Sequence, residues 1–127
     1  MDVESPRPIY LQIIDEVKRA MARRDLLPGD RIPSQRELAQ MLRVNPNTVQ
    51  RAFREMEVLG LVETVRGEGT FVRDDPALLS QVRSEMAQQA VAHFVKQIRG
   101  LGFAEEEAVS MVRAAFRQSE PEGDRSA

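Results

Sequence analysis

Four polar side chains near the start of a predicted helix have the types and spacing to hydrogen-bond with nucleic-acid bases: Asn47, Thr48, Gln50 and Arg51. In a major groove the Asn and Gln amides match the donor and acceptor atoms of adenine, and the Arg guanidinium matches the two acceptors of guanine. At about 100° per residue, the opposite side of this helix is apolar and contains Val49, Ala52, Phe53 and Met56. The polar face is therefore expected to be exposed, where it either contacts DNA or is simply solvated.

Arginines near this helix could add contacts to phosphate groups. Between Arg36 and Arg54 the sequence contains four arginines and only one acid, although the whole chain has a net charge of −2. A net charge near zero or below does not exclude a local stripe of basic residues on one surface. Arg36 and the pair Arg66-Gly67 are therefore candidate DNA contacts. The alternatives are a solvated arginine for the first and an ordinary hairpin turn for the second.

The residue types that catalysis needs are scarce in this chain. There is no cysteine and one histidine, His93, in the middle of a predicted helix. Such a histidine is more often a packed or surface residue than a metal ligand or a base. The acidic triplet Glu105-Glu106-Glu107 follows a predicted helix start, where negative charge favours the helix dipole. We therefore predict no enzyme activity, no metal and no cofactor.

Periodicity and turn signals locate the elements that would hold the polar helix. A first helix is predicted by apolar residues at helical spacing, which are Ile9, Ile13, Val17, Ala20 and Met21. The turn 27–30 ends it. Ser34 and Glu37 form a capping box at the start of a short second helix. Asn45 is a favourable N-cap for a third helix, and Pro46 occupies its first position.

A β-hairpin is predicted directly after the third helix. The apolar side of that helix is expected to extend to Leu59, and Gly60 ends it. Two strands, 61–65 and 70–72, are rich in β-branched residues and flank the loop Arg66-Gly67-Glu68-Gly69. Helix, capped helix, tight turn, helix and hairpin in this order predict a winged helix-turn-helix. The fold class is therefore mainly α with a small β-hairpin wing.

The C-terminal part is predicted to be a helical hairpin that joins two copies of the chain. Asp74-Asp75-Pro76 breaks the pattern, so we expect a DNA-binding domain over 1–75 and a dimerisation region over 76–119. Residues 120–127 are predicted to be a disordered tail. Two isolated helices bury few apolar side chains. A symmetric dimer would cover the apolar side chains that the helix pair leaves exposed. The residues predicted for this interface are Val82, Met86, Phe94, Val95, Ile98, Met111, Val112 and Phe116.

Several motifs resemble those of the GntR family of bacterial transcription regulators. They are Pro8-Ile9-Tyr10-Leu11-Gln12-Ile13, the segment 27–39 with Ser34-Gln35-Arg36-Glu37-Leu38-Ala39, Gly60-Leu61-Val62, and Arg66-Gly67-Glu68-Gly69-Thr70-Phe71-Val72. The segment 44–49 looks like the YtrA-type branch, in which only a pair of helices follows the DNA-binding domain. The resemblance covers residues 6–73 closely. It implies DNA contacts from Arg36, from the start of the third helix and from the wing at Arg66-Gly67.

The chain departs from the family pattern at three positions. Many relatives carry arginines where this chain has Pro46 and Gln50, so their guanine contacts at these positions cannot be transferred. Arg43 stands where many such turns have glycine. The turn between the second and third helices is therefore expected to be strained or differently shaped.

The predicted function is transcription regulation, as a repressor, by a homodimer that binds double-stranded DNA at a palindromic operator. The alternative is a winged helix whose basic face binds an acidic protein. Whether a small-molecule effector exists is left open. No apolar stretch is long enough to span a membrane, and the acidic start at residues 1–4 is unlike a signal peptide. We therefore expect no membrane partner and a cytoplasmic location.

Overall fold

Five helices and one β-hairpin are formed by the residues that the computed structural model describes, which are Asp2 and residues 4–119. In chain order they are α1 (Ile9–Ala22), α2 (Gln35–Leu42), α3 (Pro46–Val58), β1 (Val62–Val65), β2 (Gly69–Val72), α4 (Leu78–Gly100) and α5 (Glu105–Gln118). The predicted mainly helical fold with a small hairpin is confirmed. The predicted tail at 120–127 lies outside the described residues. Two compact units divide the chain, one running to Met86 and one beginning at Ala87.

The segment before α1 folds back onto that helix. Gln12 Nε2 donates to the carbonyl oxygens of Asp2 and Arg7 at 2.8 and 2.9 Å. Gln12 Oε1 accepts from the Asp2 amide, and the Arg7 guanidinium makes two hydrogen bonds to the Asp15 carboxylate. These contacts hold the first turn of α1 in place, directly after Pro8.

Capping residues begin both α2 and α3, and the short segment 43–45 joins the two helices. Ser34 Oγ accepts from the Glu37 amide at 3.0 Å, and the Glu37 carboxylate accepts from the Ser34 amide, so the predicted capping box is confirmed. Asn45 Oδ1 caps α3, with Pro46 in the first helical position as predicted. Between them Arg43 ends α2 with φ 55° and ψ 46°. This left-handed conformation is unfavourable for a residue with a Cβ, so the expected strain is present.

An apolar core lies beneath α3. It combines buried residues of α1, α2, α3, the hairpin, the start of α4 and two connecting segments: Ile13, Ile14, Met21, Ile32, Ala39, Val49, Ala52, Phe53, Met56, Leu61, Val62, Val72, Leu78, Leu79 and Val82. The four residues predicted for the buried face of α3 are all among them. Leu59 was expected there too and is 50% exposed. It is the C-cap of α3, and the chain turns at Gly60 so that Leu61 enters the core instead.

The hairpin is antiparallel and is supported along its second strand by the segment before α2. Val62 pairs with Val72, and Val65 pairs with Gly69. The turn therefore contains 66–68, and Gly69 belongs to β2. The Ile32 amide donates to the Thr70 carbonyl at 2.9 Å, and the Val72 amide donates to the Asp30 carbonyl at 2.7 Å. Backbone hydrogen bonds on both sides of β2 thus hold the wing.

α4 contributes residues to both units. Its first turns place Leu78, Leu79 and Val82 in the core of the first unit, and Met86 packs against that core. Val82 is only 4% exposed, so the structure leaves little of it for the predicted dimer interface. Val82 and Phe94 are twelve residues apart, which is about 120° around a helix. Val82 and Phe94 therefore face different directions, and the predicted interface residues of α4 do not all lie on one face of the helix.

Candidate nucleic-acid interface

Exposed polar side chains of α2 and α3 line a groove between the two helices. The groove has a volume of about 600 Å³, and its polar residues are Gln35, Arg36, Gln40, Asn47 and Gln50. Three of the predicted contacts, Arg36, Asn47 and Gln50, are thus brought together. Gln35 and Gln40 were missed by the sequence interpretation, because a polar residue on an exposed helix face carries no signal that separates contact from solvation.

The predicted polar face of α3 is exposed over its whole length. Asn47, Gln50, Arg51 and Arg54 are exposed, whereas the residues of the opposite face are buried in the core. Thr48 is half-buried at the flank of the exposed face. The helix therefore presents amide and guanidinium groups to a partner, with its capped N-terminal turn at one end.

Arg51 is held by an aromatic ring from another helix. Its guanidinium carbon lies 3.9 Å from the centroid of the Tyr10 ring. Tyr10 belongs to the first turn of α1 and is half-buried against the core. The contact is a cation–π interaction between α1 and α3. Tyr10 was not singled out from the sequence, since only the packing of α1 against α3 brings the two residues together.

The tip of the wing carries the two remaining predicted contacts. Arg66 and Gly67 are exposed in the turn, and neither lines the groove between α2 and α3. A Cβ built on Gly69 would lie 2.8 Å from Arg31 Nε, and Gly69 has φ 128°. The Arg31 side chain therefore crosses the wing at a position that only glycine fits. Arg31 adds a basic group to the wing that the sequence did not reveal.

A hydrogen-bonded pair connects the wing to the end of α3. Thr64 Oγ1 donates to the Glu57 carboxylate at 2.7 Å and lies 3.1 Å from Thr70 Oγ1. Thr64 and Thr70 face each other across the hairpin. The wing is thereby tied to α3 by side chains as well as by the backbone, which sets the position of the tip relative to the helix.

Among the described residues, no carboxylate forms an ion pair with the arginines of this surface. Arg36, Arg43, Arg51 and Arg54 are all exposed. Within the part of the chain that the structure describes, the ion pairs involve Arg7, Arg19 and Arg23 instead. The face formed by α2, the turn and α3 is therefore suited to an anionic partner.

The described residues offer no arrangement for metal binding. No group of three or more His, Cys, Asp or Glu side chains in Asp2 and 4–119 could hold a metal ion. Glu107 accepts a hydrogen bond from the Ala104 amide at the start of α5, which gives this member of the acidic triplet a structural use. Among the helices of the described part, none combines the length and apolar character needed to cross a membrane.

The second unit contains an apolar groove between the end of α4 and α5. Its volume is about 790 Å³, and Phe94, Val95, Ile98 and Val112 line it, together with other apolar residues and with Arg99, Glu105 and Arg113. Met111 and Phe116 lie on α5 outside this lining, and Phe116 is 79% exposed. Six of the eight residues predicted for the dimer interface are therefore in this unit and at least partly accessible, whereas Val82 and Met86 pack in the first unit.

Comparison with known proteins gives a family match over the first unit. Residues 9–72 match the family model described as bacterial regulatory proteins, gntR family. The uncharacterized HTH-type transcriptional regulator YhcF of Bacillus subtilis is 43% identical over 110 residues, which cover 87% of this chain and 91% of YhcF. The HTH-type transcriptional repressor YtrA of the same organism is 44% identical over 75 residues, covering 59% of this chain and 58% of YtrA.

Solved structures are similar over the same region and beyond it. A GntR family transcriptional regulator from Listeria monocytogenes has a TM-score of 0.83 and 32% identity, covering 90% of this chain and 98% of its own. The AraR DNA-binding domain in complex with operator ORE1 has a TM-score of 0.51 and 32% identity, covering 57% of this chain and 88% of its own.

Proposed function

The chain belongs to the GntR family of bacterial regulatory proteins, and on that premise we propose that it represses transcription by binding operator DNA as a homodimer. The observation that carries the proposal is the exposed basic face of α2 and α3, where Arg36, Asn47 and Gln50 line one groove. The similarity to a DNA-binding domain solved with its operator supports this use of the fold.

The N-terminal turn of α3 is the part that enters the major groove in this proposal. A recognition helix in a helix-turn-helix contacts base edges with its first residues. Asn47, Gln50 and Arg51 are exposed on that turn or the next, and half-buried Thr48 lies at their flank. The Asn and Gln amides favour adenine, and the Arg51 guanidinium favours guanine. Gln50 stands where many relatives have arginine, so this position is expected to select a different base from theirs.

Arg36 and the wing are the phosphate contacts of the same proposal. Arg36 projects from the preceding helix into the groove and can hold a phosphate or reach a base. At the wing tip, a Cβ on Gly67 would meet no atom of the described residues within 4 Å, so the turn is open to a close approach by a DNA strand. Arg66, beside it, supplies the positive charge, and Arg31 adds a second one along the wing.

The homodimer is proposed through the second unit. Val95, Met111, Val112 and Phe116 are exposed apolar residues on α4 and α5, and a helix pair alone cannot cover them. A second copy provides an identical apolar surface, and two-fold symmetry is the commonest arrangement. Val82 and Met86 are left out of this interface because the core of the first unit already covers them. A two-fold dimer would recognise an inverted repeat.

We propose that DNA binding by this chain represses transcription. We also propose that the protein is located in the cytoplasm. The relative named as a repressor, YtrA, is 44% identical over 75 residues and supports this direction. A dimer bound across a promoter would exclude the polymerase by occupying the same DNA. In vitro transcription from the promoter of the chain's own gene should fall as the protein is added, and an increase would contradict repression.

A gel-shift with a salt titration tests the DNA-binding function. The full chain should bind the DNA upstream of its own gene more tightly than a scrambled duplex. Each phosphate contact should contribute about −0.9 to the slope of log affinity against log salt. Arg36→Ala should flatten the slope, whereas Arg19→Ala, which removes an exposed ion-pair partner on α1, should not. Absence of binding to any duplex at low salt would contradict the proposal.

A further inference from the structure

We propose that Tyr10 is a positioning residue that holds the guanidinium of Arg51 ready to contact DNA. The assignment rests on the proposed DNA-binding function and adds a residue to it that lies on a different helix. Its basis is the stacking of the two side chains, with the Arg51 guanidinium carbon 3.9 Å from the centroid of the Tyr10 ring.

The Tyr10 ring is a fixed support. It lies in the first turn of α1, where Gln12 and the Arg7–Asp15 pair hold the preceding segment against the helix. Its half-buried side chain packs against the core that α1 and α3 share. The ring therefore cannot leave Arg51 without disturbing the packing between the two helices.

Stacking leaves the hydrogen-bond donors of Arg51 available. The guanidinium is planar, and its five N–H groups point outward in that plane. The ring contacts the face of the plane, whereas guanine and phosphate oxygens bind along its edge. No described residue accepts a hydrogen bond from the Arg51 side chain. Tyr10 thus restricts the orientation of the guanidinium and does not occupy the atoms that DNA would contact.

A neutral ring also leaves the charge of Arg51 intact. Glu55 lies one turn further along α3, at a spacing that allows an ion pair. The described residues nevertheless show no such pair, and Arg51 is held by the ring alone. A carboxylate partner would have to be released or would repel the phosphates when DNA binds. The ring imposes neither cost, because it attracts the cation without carrying a net charge.

Preorganisation of Arg51 should be visible in affinity. A free arginine side chain loses rotamer entropy when DNA immobilises it, and a stacked one loses less. We expect Tyr10→Leu to weaken binding roughly two- to ten-fold, the range that corresponds to ordering one long side chain on binding. Tyr10→Phe keeps the ring face and should bind like the unmodified chain.

A double-mutant cycle on DNA affinity tests the assignment. The full chain first selects a duplex from a randomised pool, and the dissociation constants of all variants are measured on that duplex. Tyr10→Leu should weaken binding when Arg51 is present. It should have no further effect in a chain that already carries Arg51→Ala. The matched control is Arg54→Ala, which removes an exposed arginine of the same face without a ring partner. The losses of binding free energy caused by Arg54→Ala and by Tyr10→Leu should be additive in the double variant.

Two results would overturn the assignment while DNA binding itself stands. One is that Tyr10→Leu weakens binding by the same factor in chains with Arg51 and with Arg51→Ala. The other is that Tyr10→Leu does not change the dissociation constant. A second measurement uses the unmodified protein and therefore does not depend on a variant that folds. In the free protein, ¹⁵N relaxation compares the order of the side-chain Nε–H group of Arg51 with that of Arg54. Arg51 should be the more ordered, and equal disorder would also overturn the assignment. If the unmodified chain selects no duplex, the proposed DNA-binding function is contradicted. This outcome is distinct from failure of the Tyr10 assignment, because it involves no Tyr10 variant.

Discussion

At the scale of single residues, the interface contains two kinds of side chain with different consequences for DNA. Asn47 and Gln50 are amides in the groove between α2 and α3, and they can recognise a base by its hydrogen-bond pattern. Arg66 lies at the wing tip outside that groove and is suited to phosphates, which are the same in every sequence. Substitutions of the two kinds should therefore be distinguishable in binding experiments.

Gln50→Ala should reduce the preference for one base pair. We expect a loss of roughly 1–3 kcal/mol on the selected duplex, because an amide that pairs with a base edge is removed. Dissociation constants on duplexes with single base-pair changes measure the effect. Gln97→Ala, an exposed amide of α4, is the control. An equal loss on every duplex would contradict base recognition by Gln50.

Arg66→Ala should weaken binding to all duplexes by a similar factor. The lost phosphate contact should lower the magnitude of the salt slope by about one. Titrations at several salt concentrations measure the slope, and Arg66→Lys should restore it because the charge returns. A changed base preference with an unchanged slope would show that Arg66 contacts a base.

At the scale of elements, the position of α3 depends on the turn that precedes it. Ser34 with Glu37 caps α2, and Asn45 with Pro46 starts α3, so both helix starts are satisfied locally. Arg43, between them, is in a left-handed conformation with φ 55°. The turn thus combines one favourable cap, Asn45, with one strained residue, Arg43.

Arg43→Gly should stabilise the protein, by up to about 1 kcal/mol in the free energy of unfolding, since glycine adopts a left-handed conformation without a Cβ clash. Arg54→Gly removes the same charge from an exposed position in the middle of α3 and should destabilise the protein by about 1 kcal/mol. Urea unfolding at one protein concentration compares the two. Destabilisation by both substitutions would contradict the strain assigned to Arg43.

At the scale of the whole molecule, the two units have different degrees of apolar burial. The first unit has a core of buried residues under α3, whereas α5 contains no buried residue. Val95, Met111, Val112 and Phe116 remain exposed in the second unit. This difference is the physical reason for proposing that the second unit is completed by another copy of the chain.

Val95→Glu should convert the proposed dimer to a monomer at micromolar concentration, because the new carboxylate would be buried without a partner. Gln97→Glu introduces the same charge at an exposed polar position of α4 and should leave the dimer intact. Sedimentation equilibrium of the full chain and both variants measures the mass. A monomeric unmodified chain would contradict the dimer, and a dimeric Val95→Glu chain would place its interface elsewhere.

The sequence by itself determined the features that depend on neighbouring residues. The capping box at Ser34, the N-cap at Asn45, the hairpin after Gly60 and the buried face of α3 were predicted and are confirmed. Each follows from the chemistry of residues at most a few turns apart. Strain at Arg43 was expected from the family resemblance, because many such turns have glycine at that position, and its left-handed φ of 55° agrees.

Only the tertiary structure decided which distant side chains meet. Stacking of Tyr10 on Arg51 and the crossing of Arg31 over Gly69 join residues that no local pattern links. Val82 was assigned to a dimer interface from its apolar character, and the structure places it in the core of the first unit. An apolar side chain shows in the sequence that it will be buried, but its partner depends on how the helices pack, because burial itself has no directional preference.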